Sequence, residues 1–265
     1  MSFLISTQSE LLKTKRTAAF WLSLIGAAFI PAIFFLVYVF NSKKMILQFK
    51  MMPWEQHFGQ GWSSLNSFLL PMYIILICAM IPQIEYKNNT WKQVFSSPQS
   101  IANIYFSKFL TVHLLILLAL LLFNLFMLLA AIVPNFFYKG FPFLHTKIDW
   151  AYLLRLNLRS YISLLGISAI QFWLSLRFKS FIGPVGIGLA LLIGAIIATG
   201  FGWEHISKIP YAHPVMTLRS MTMERFAKPG ATHPFLQNHE WNSIGYFIFF
   251  TLLGFLDLRF RKEKG

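Results

Sequence analysis

The 265-residue chain is 56% hydrophobic and only 12% charged, where a soluble domain carries roughly 25% charged residues. Its apolar residues gather in blocks long enough to cross a bilayer, which takes about 20 residues as a helix, and this excludes a soluble globular domain. The formal net charge of +14 lies largely at block ends, where Lys and Arg meet anionic lipid headgroups, so no nucleic-acid partner is expected. The single cysteine, Cys78, excludes an internal disulfide and a Cys-based metal cluster.

In segment 1–17, Leu4, Ile5, Leu11 and Leu12 share one helical face while Gln8, Lys13 and Arg16 stay polar. This predicts an amphipathic helix lying along the inner membrane surface. Six spans follow, at 18–40, 67–84, 109–133, 161–176, 181–201 and 242–258. The first is longer than a signal-peptide core and has no A-x-A exit, so it is read as a retained helix. Pro31 within it removes one helical hydrogen bond and predicts a kink. Aromatic residues at block ends, among them Trp21, Tyr38, Trp62, Trp150, Trp203 and Trp241, suit an interfacial belt. The predicted fold is therefore all-α: a single polytopic membrane domain, 1–265, of six transmembrane helices.

Six spans put both termini on one side. Lys13, Lys15, Arg16, Lys87, Lys92, Lys108, Arg177, Lys179, Arg259, Arg261, Lys262 and Lys264 lie on that side. They are about half of the basic residues, but their segments are short and hug the span ends, which orients both termini to the cytoplasm.

Between the second and third spans runs the hydrophilic segment 85–108, EYKNNTWKQVFSSPQSIANIYFSK. Lys87-Asn88-Asn89-Thr90 is turn chemistry. Trp91 to Phe95 predicts a short helix exposing Trp91, Val94 and Phe95. Ser97 as N-cap and Pro98 at the first helical position predict a second helix that runs through Lys108 into the third span. Two readings are open on these residues alone. One is a protruding cytosolic element whose aromatics anchor a partner; the other is a plain loop whose aromatics rest on headgroups.

Polar residues within or beside the spans are few: Asn66, Ser67, His113, Asn124, Asn157, Arg159 and Gln171. Asn124 and Gln171 are the deepest, and either line a path or bridge helices. The spans hold no deep carboxylate, which disfavours a proton-coupled transporter. In the fifth span Gly186, Ala190, Gly194, Ala198 and Gly202 recur at every fourth position, a small-residue stripe that predicts close helix packing, within the subunit or across a dimer.

The outer segments are 41–66, 134–160 and 202–241. The last carries Pro210, Pro214, Pro229 and Pro234, and His205, His213, His233 and His239 at wide spacing without a cysteine, a poor metal set. Glu204, Glu224 and Glu240 have no nucleophile-base motif around them. The chain contains no G-x-x-x-x-G-K-[ST] phosphate loop. No catalytic, cofactor-binding or metal-binding residue is expected.

The order Glu85, Thr90-Trp91, Pro98, Lys108 resembles the segment after the second span of ABC-2 type transporter permeases, especially the small bacterial permeases grouped with lantibiotic-immunity exporters. The run E-L-L-K-T-K-R at 10–16 is similar to the opening of the same family. The resemblance implies that 85–108 is a coupling segment docking on a separate ABC ATPase subunit, with the N-terminal helix in the same contact. It implies a second permease subunit, identical or not, and short re-entrant helices in an extracytoplasmic 202–241. The expected function is the permease of a bacterial plasma-membrane exporter, without enzymatic activity of its own. The spans carry no pattern that selects peptide, lipid, drug or ion as substrate. The rival readings are a membrane enzyme acting on lipid through His213 or Glu224, and a non-transporting sensor subunit.

Overall fold

The structure, a computed structural model, describes residues 3–225 and 233–260. Pro229, and the basic residues Arg261, Lys262 and Lys264 counted above, lie outside the described residues. Eleven α-helices and no strands occur among the described residues. α1 is Phe3–Thr14, α2 Ala18–Phe40, α3 Ser42–Gln48, α4 Pro53–Ser64 and α5 Leu70–Lys87. α6 is Trp91–Ser96, α7 Ile101–Phe137, α8 Trp150–Arg177, α9 Ile182–Gly200, α10 His213–Arg225 and α11 Asn238–Phe260.

Five helical stretches among the described residues are long and apolar enough to cross a membrane: Ala18–Phe40, Pro53–Lys87, Ile101–Phe137, Ile182–Gly200 and Asn238–Phe260. The stretch predicted as a fourth span, 161–176, lies within α8. That helix has 28 residues, about 42 Å at 1.5 Å per residue. Its N-terminal half carries Arg155, Asn157 and Arg159, and these polar side chains set it apart from the other five.

The second crossing stretch begins earlier than predicted. Segment 41–66 is not a loop: it holds α3 and α4, and α4 joins α5 through a π-helical turn at Leu65–Leu69. The α4 sequence has two glycines, which weaken a helix, but Trp54, Phe58 and Trp62 recur at every fourth position and turn one face inward. Trp62, His57 and Phe58 are almost fully buried. His57 Nε2–H donates to the Met127 carbonyl at 2.9 Å, and its Nδ1 pairs with the Tyr38 hydroxyl at 2.6 Å. A side chain at Gly61 would collide with the thioether of Met127 on α7.

α2 continues through Pro31, which is buried. It packs along α7, and α8 packs along α11 and α5. At one end of the bundle, the last turn of α5, the first turns of α7 and the last turns of α8 and α11 meet. The Tyr86 hydroxyl donates to the Leu176 carbonyl (2.7 Å), the Tyr105 hydroxyl donates to the Thr251 carbonyl (3.0 Å), and Arg177 pairs with Asp257 (2.6 Å). α1 and α6 sit at this same end.

Candidate functional site

α1 carries Glu10 and Lys13 three residues apart, which places both on one face. That face turns inward: Ser6, Thr7, Glu10 and Thr14 are buried, whereas Leu4, Ile5 and Leu12 are exposed. Lys108, in the third turn of α7, and Glu85, in the last turn of α5, each have side chains 1% exposed. The Lys108 ammonium lies 2.7 Å from Glu10 Oε2 and 2.7 Å from Glu85 Oε1. Lys13 Nζ lies 2.7 Å from Glu10 Oε1 and 3.1 Å from Glu85 Oε1.

Two ammonium groups and two carboxylates thus tie three elements into a neutral cluster. Desolvation of such charges is offset only by close mutual contact. Burial opposes ionisation of Glu10, but Lys108 and Lys13 outweigh it and hold the carboxyl below its ordinary value. Burial likewise opposes the Lys13 charge, and Glu10 and Glu85 raise its pKa in spite of it. Glu85 Oε2 is buried with no hydrogen-bond partner among the described residues. It borders a crevice of about 390 Å³ between α1, α5 and α6, lined also by Ser6, Thr90, Gln93 and Gln99.

The short segment after Glu85 is closed by the Thr90 N–H, which donates to the Glu85 carbonyl at 3.0 Å. Asn89 there takes a left-handed φ of 53°, a conformation asparagine tolerates. α6 follows. Its Trp91 is not exposed, contrary to the sequence expectation: it is 7% exposed. The indole stacks on Phe95 at 5.4 Å, approaches Tyr86 at 5.3 Å and lies under the Lys108 ammonium at 5.6 Å. A cation over an indole face is attractive, and this contact holds the ring inward. Val94 and Phe95 are half-buried; Lys92, Gln93 and Ser96 face outward.

The helix start also differs. Ser97 ends α6 in extended backbone, its hydroxyl donating to the Val94 carbonyl. Pro98 is exposed and non-helical. The N-cap of α7 is Ser100, whose side chain accepts from the Asn103 N–H at 3.2 Å. Gln99 accepts the Ser6 hydroxyl at 3.0 Å, which keeps the intervening turn against α1. Of the five residues singled out, Glu85, Trp91 and Lys108 meet, Thr90 closes the turn beside them, and Pro98 stands apart. Glu10 and Lys13 complete the cluster. Neither was marked as a site residue, and the signal available was the i, i+3 charge pair on the same face as Ser6, Thr7 and Thr14.

A second buried ionic group lies at the opposite end. Arg159 of α8 is fully buried. Its Nε donates to Glu240 of α11 at 2.8 Å, one terminal nitrogen to both oxygens of Glu224 of α10, and the other to Ser220 at 2.9 Å. Thr217 donates to Glu240 at 3.0 Å and pairs with His239 Nε2 at 3.0 Å. The His213 Nε2–H donates to the Ser207 carbonyl at 2.9 Å, and burial pushes that imidazole down to about 4. Of the three glutamates considered as acids or bases, Glu224 and Glu240 are thus engaged by a guanidinium. The described histidines form no group of three or more with other ligand residues.

Asn124 and Gln171 bridge elements. Asn124 exchanges amide hydrogen bonds with Asn157 of α8 at 2.7 and 3.3 Å, and Gln171 Nε2 donates to the Tyr211 hydroxyl at 2.6 Å. The small-residue stripe is largely open among the described residues. Gly186, Ala190 and Gly194 are exposed and Ala198 half-buried. A Cβ added at Gly186, Gly194 or Gly202 would meet nothing within 4 Å. Two glycines of α9 do pack: Gly183 against Phe178, and Gly188, more tightly, against Gln171 and Ile75.

Residues 6–195 match a family model described as ABC-2 family transporter protein. The match takes in the α1–α5–α7 cluster and Arg159 and stops before Glu224 and Glu240. No curated protein matches the chain, and no solved structure matches it.

Proposed function

The chain belongs to the ABC-2 family of transporter proteins and is a multi-pass membrane protein, and from that premise we propose that it is the permease subunit of an ATP-driven exporter of the bacterial plasma membrane. In this reading α8 is a sixth crossing, both termini are cytoplasmic, two permease subunits enclose the pathway, and a separate ATPase supplies the energy. The sixth crossing is supported by α8 ending where α5 ends and α7 begins, so that it runs opposite to α7.

The observation that carries the proposal is the buried Glu10–Lys13–Glu85–Lys108 cluster directly behind α6. α6 offers Lys92, Gln93 and Ser96 to a cytosolic partner, while Trp91 on its inner side rests on Lys108 and Tyr86. A push on α6 is passed to α7 through Lys108, to α5 through Tyr86 and Glu85, to α8 through the Tyr86–Leu176 hydrogen bond, and to α1 through Glu10. The energy of nucleotide binding is thereby delivered to several crossing helices at once. Displacement of a packed, charge-locked junction gives two discrete arrangements rather than a continuous deformation. The partner biases their populations by its unequal affinity for them.

The test is purification of a tagged chain from its host membrane, with co-purifying proteins identified by mass spectrometry. An ABC ATPase is expected, and Lys92→Glu together with Gln93→Glu is expected to deplete it. Retrieval of no ATPase from intact membranes sinks the reading. The membrane-enzyme alternative gains nothing from the geometry, because Glu224 is held by Arg159 and His213 by a backbone carbonyl.

A further inference from the structure

α1 is amphipathic in the reverse of the sense a soluble protein requires. Its polar face is buried against α5 and α7, and its apolar face is bare, with Leu4 71%, Ile5 51% and Leu12 70% exposed. Where this helix meets the first turn of α2 and the middle of α7 there is a groove of about 440 Å³. Its walls are Leu11, Leu12, Phe20, Leu115 and Leu118, and Lys15 stands at its rim. Lys15 and its neighbour Arg16 are exposed and pair with no carboxylate among the described residues. The basic residue on α1 that does face carboxylates, Lys13, is turned to the opposite side.

An apolar slot with Lys15 at its rim, and the exposed Arg16 next to it in the chain, has the chemistry of an anionic amphiphile site: hydrocarbon against the leucines, a negative headgroup against the cations. A zwitterionic headgroup answers the slot but not the cations, and a free anion answers the cations but not the slot. We propose that this groove is a discrete binding site for one anionic phospholipid, with an acyl chain between α1 and α7 and the phosphate at Lys15 and Arg16. The bound lipid fastens α1 from its outer side while Glu10 and Lys13 fasten it from the inner side. Lipid charge thereby sets how firmly α1 holds Lys108 and Glu85.

The experiment uses the full chain purified in a neutral detergent, with phosphatidylglycerol or phosphatidylcholine added, read by retained lipid in native mass spectrometry and by thermal unfolding. One tightly retained phosphatidylglycerol and a raised unfolding midpoint are expected, with no such effect from phosphatidylcholine. Leu118→Trp, which fills the groove, and the pair Lys15→Ala with Arg16→Ala, which remove its charge, should each abolish the retained lipid and the midpoint difference. Leu121→Trp, on an exposed part of α7 outside the groove (70% exposed), should change neither. Equal effects of the two lipids overturn the proposal. So does loss of the effect in the charge variant alone, because that pattern belongs to a diffuse basic surface rather than a site. Should Leu118→Trp fail to fold, Leu11→Trp, which fills the same groove from the α1 side, takes its place beside the charge variant.

Discussion

The Lys108 ammonium of α7 sits 2.7 Å from the Glu85 carboxylate of α5, with only 1% of either side chain exposed. The contact spans the whole hydrophilic segment between the two helices, so it sets the position of one helix end relative to the other. Glu10 shares the same ammonium at 2.7 Å, which brings α1 under the same constraint. Removing the cation leaves two buried carboxylates short of a partner. Lys108→Met is therefore expected to destabilise the subunit by about 3 kcal/mol, toward the low end of what breaking a buried pair costs because Lys13 remains. Adding Glu85→Gln to Lys108→Met should recover much of the loss. Chemical unfolding in detergent of the two variants and the parent measures this; a double variant no more stable than the single one is the contrary result.

The same cluster sets a pH window for the docking of α1. The Glu10 carboxyl is held below 4.5 in the folded chain, so its contribution is present above about pH 4.5 and is lost as pH falls through the folded value. The Lys13 ammonium is held above 10.5, so its contribution is complete below about pH 10.5 and is lost as pH rises through its raised value. Spin labels at Leu4 and Lys92, both exposed, should report a narrow separation between those limits and a broadened one outside them. Glu10→Gln should remove the acid-side transition and weaken the alkaline one, because Glu85 alone then raises Lys13.

Trp91 separates partner binding from transmission. Its ring faces Lys108, Tyr86 and Phe95 rather than the cytosol, and α6 offers other side chains outward. Trp91→Ala is expected to keep the ATPase in pull-downs while lowering export, and to release restraint on α6. Trp91→Phe, which keeps a stacked ring, should retain more export than the alanine variant. Pull-down and export measured on the same membranes check this; loss of the ATPase with Trp91→Ala would place the ring in the docking surface itself.

The helices were legible because hydrocarbon thickness and apolar run length are linked by simple geometry, and α7 emerged as the continuous extension expected from the hydrophilic segment. What escaped the sequence depends on partners far along the chain. Nothing local says that Trp91 turns inward; its orientation follows from Lys108, which lies on another helix. α4 carries two glycines, and Tyr38, Phe143 and Met127 close around its buried His57. Arg159 was visible as a charge near a span, but its partners Glu224 and Glu240 lie 65 and 81 residues away. The Ser97-Pro98 cap pattern was sound as local chemistry and lost to Ser100, because Ser97 instead closes α6.

Arg159 holds α10 and α11 to α8 through four hydrogen bonds spread over the whole guanidinium. Arg159→Met should leave Glu224 and Glu240 without a cation and cost about 3–5 kcal/mol. Arg159→Lys should rescue only part of this, because an ammonium cannot satisfy two carboxylates and a hydroxyl in the planar fork. Limited proteolysis within 202–241 and unfolding in detergent are the measurements. A lysine variant as stable as the parent would show that charge alone, rather than the fork, holds the segment.

Gly188 and Gly194 lie on the same helix and predict opposite behaviour. At Gly188 an added Cβ would lie 2.8 Å from the Gln171 amide carbon and 2.9 Å from Ile75 Cγ2. Gln171 cannot easily move aside, since its amide nitrogen is committed to Tyr211. Gly188→Ala is therefore expected to destabilise the isolated subunit by about 1–3 kcal/mol, as overpacking does. At Gly194 an added Cβ meets nothing within 4 Å, so Gly194→Leu should leave the unfolding of the isolated subunit unchanged. A Cβ at Gly186 or Gly194 meets nothing among the described residues, which leaves this part of the stripe open to another molecule. If that molecule is a second permease subunit, Gly194→Leu should reduce dimer recovery in crosslinking without altering subunit stability, whereas Gly188→Ala should do the reverse. Intact dimer recovery with Gly194→Leu would assign the stripe to lipid, and the dimer contact would then have to lie on another face.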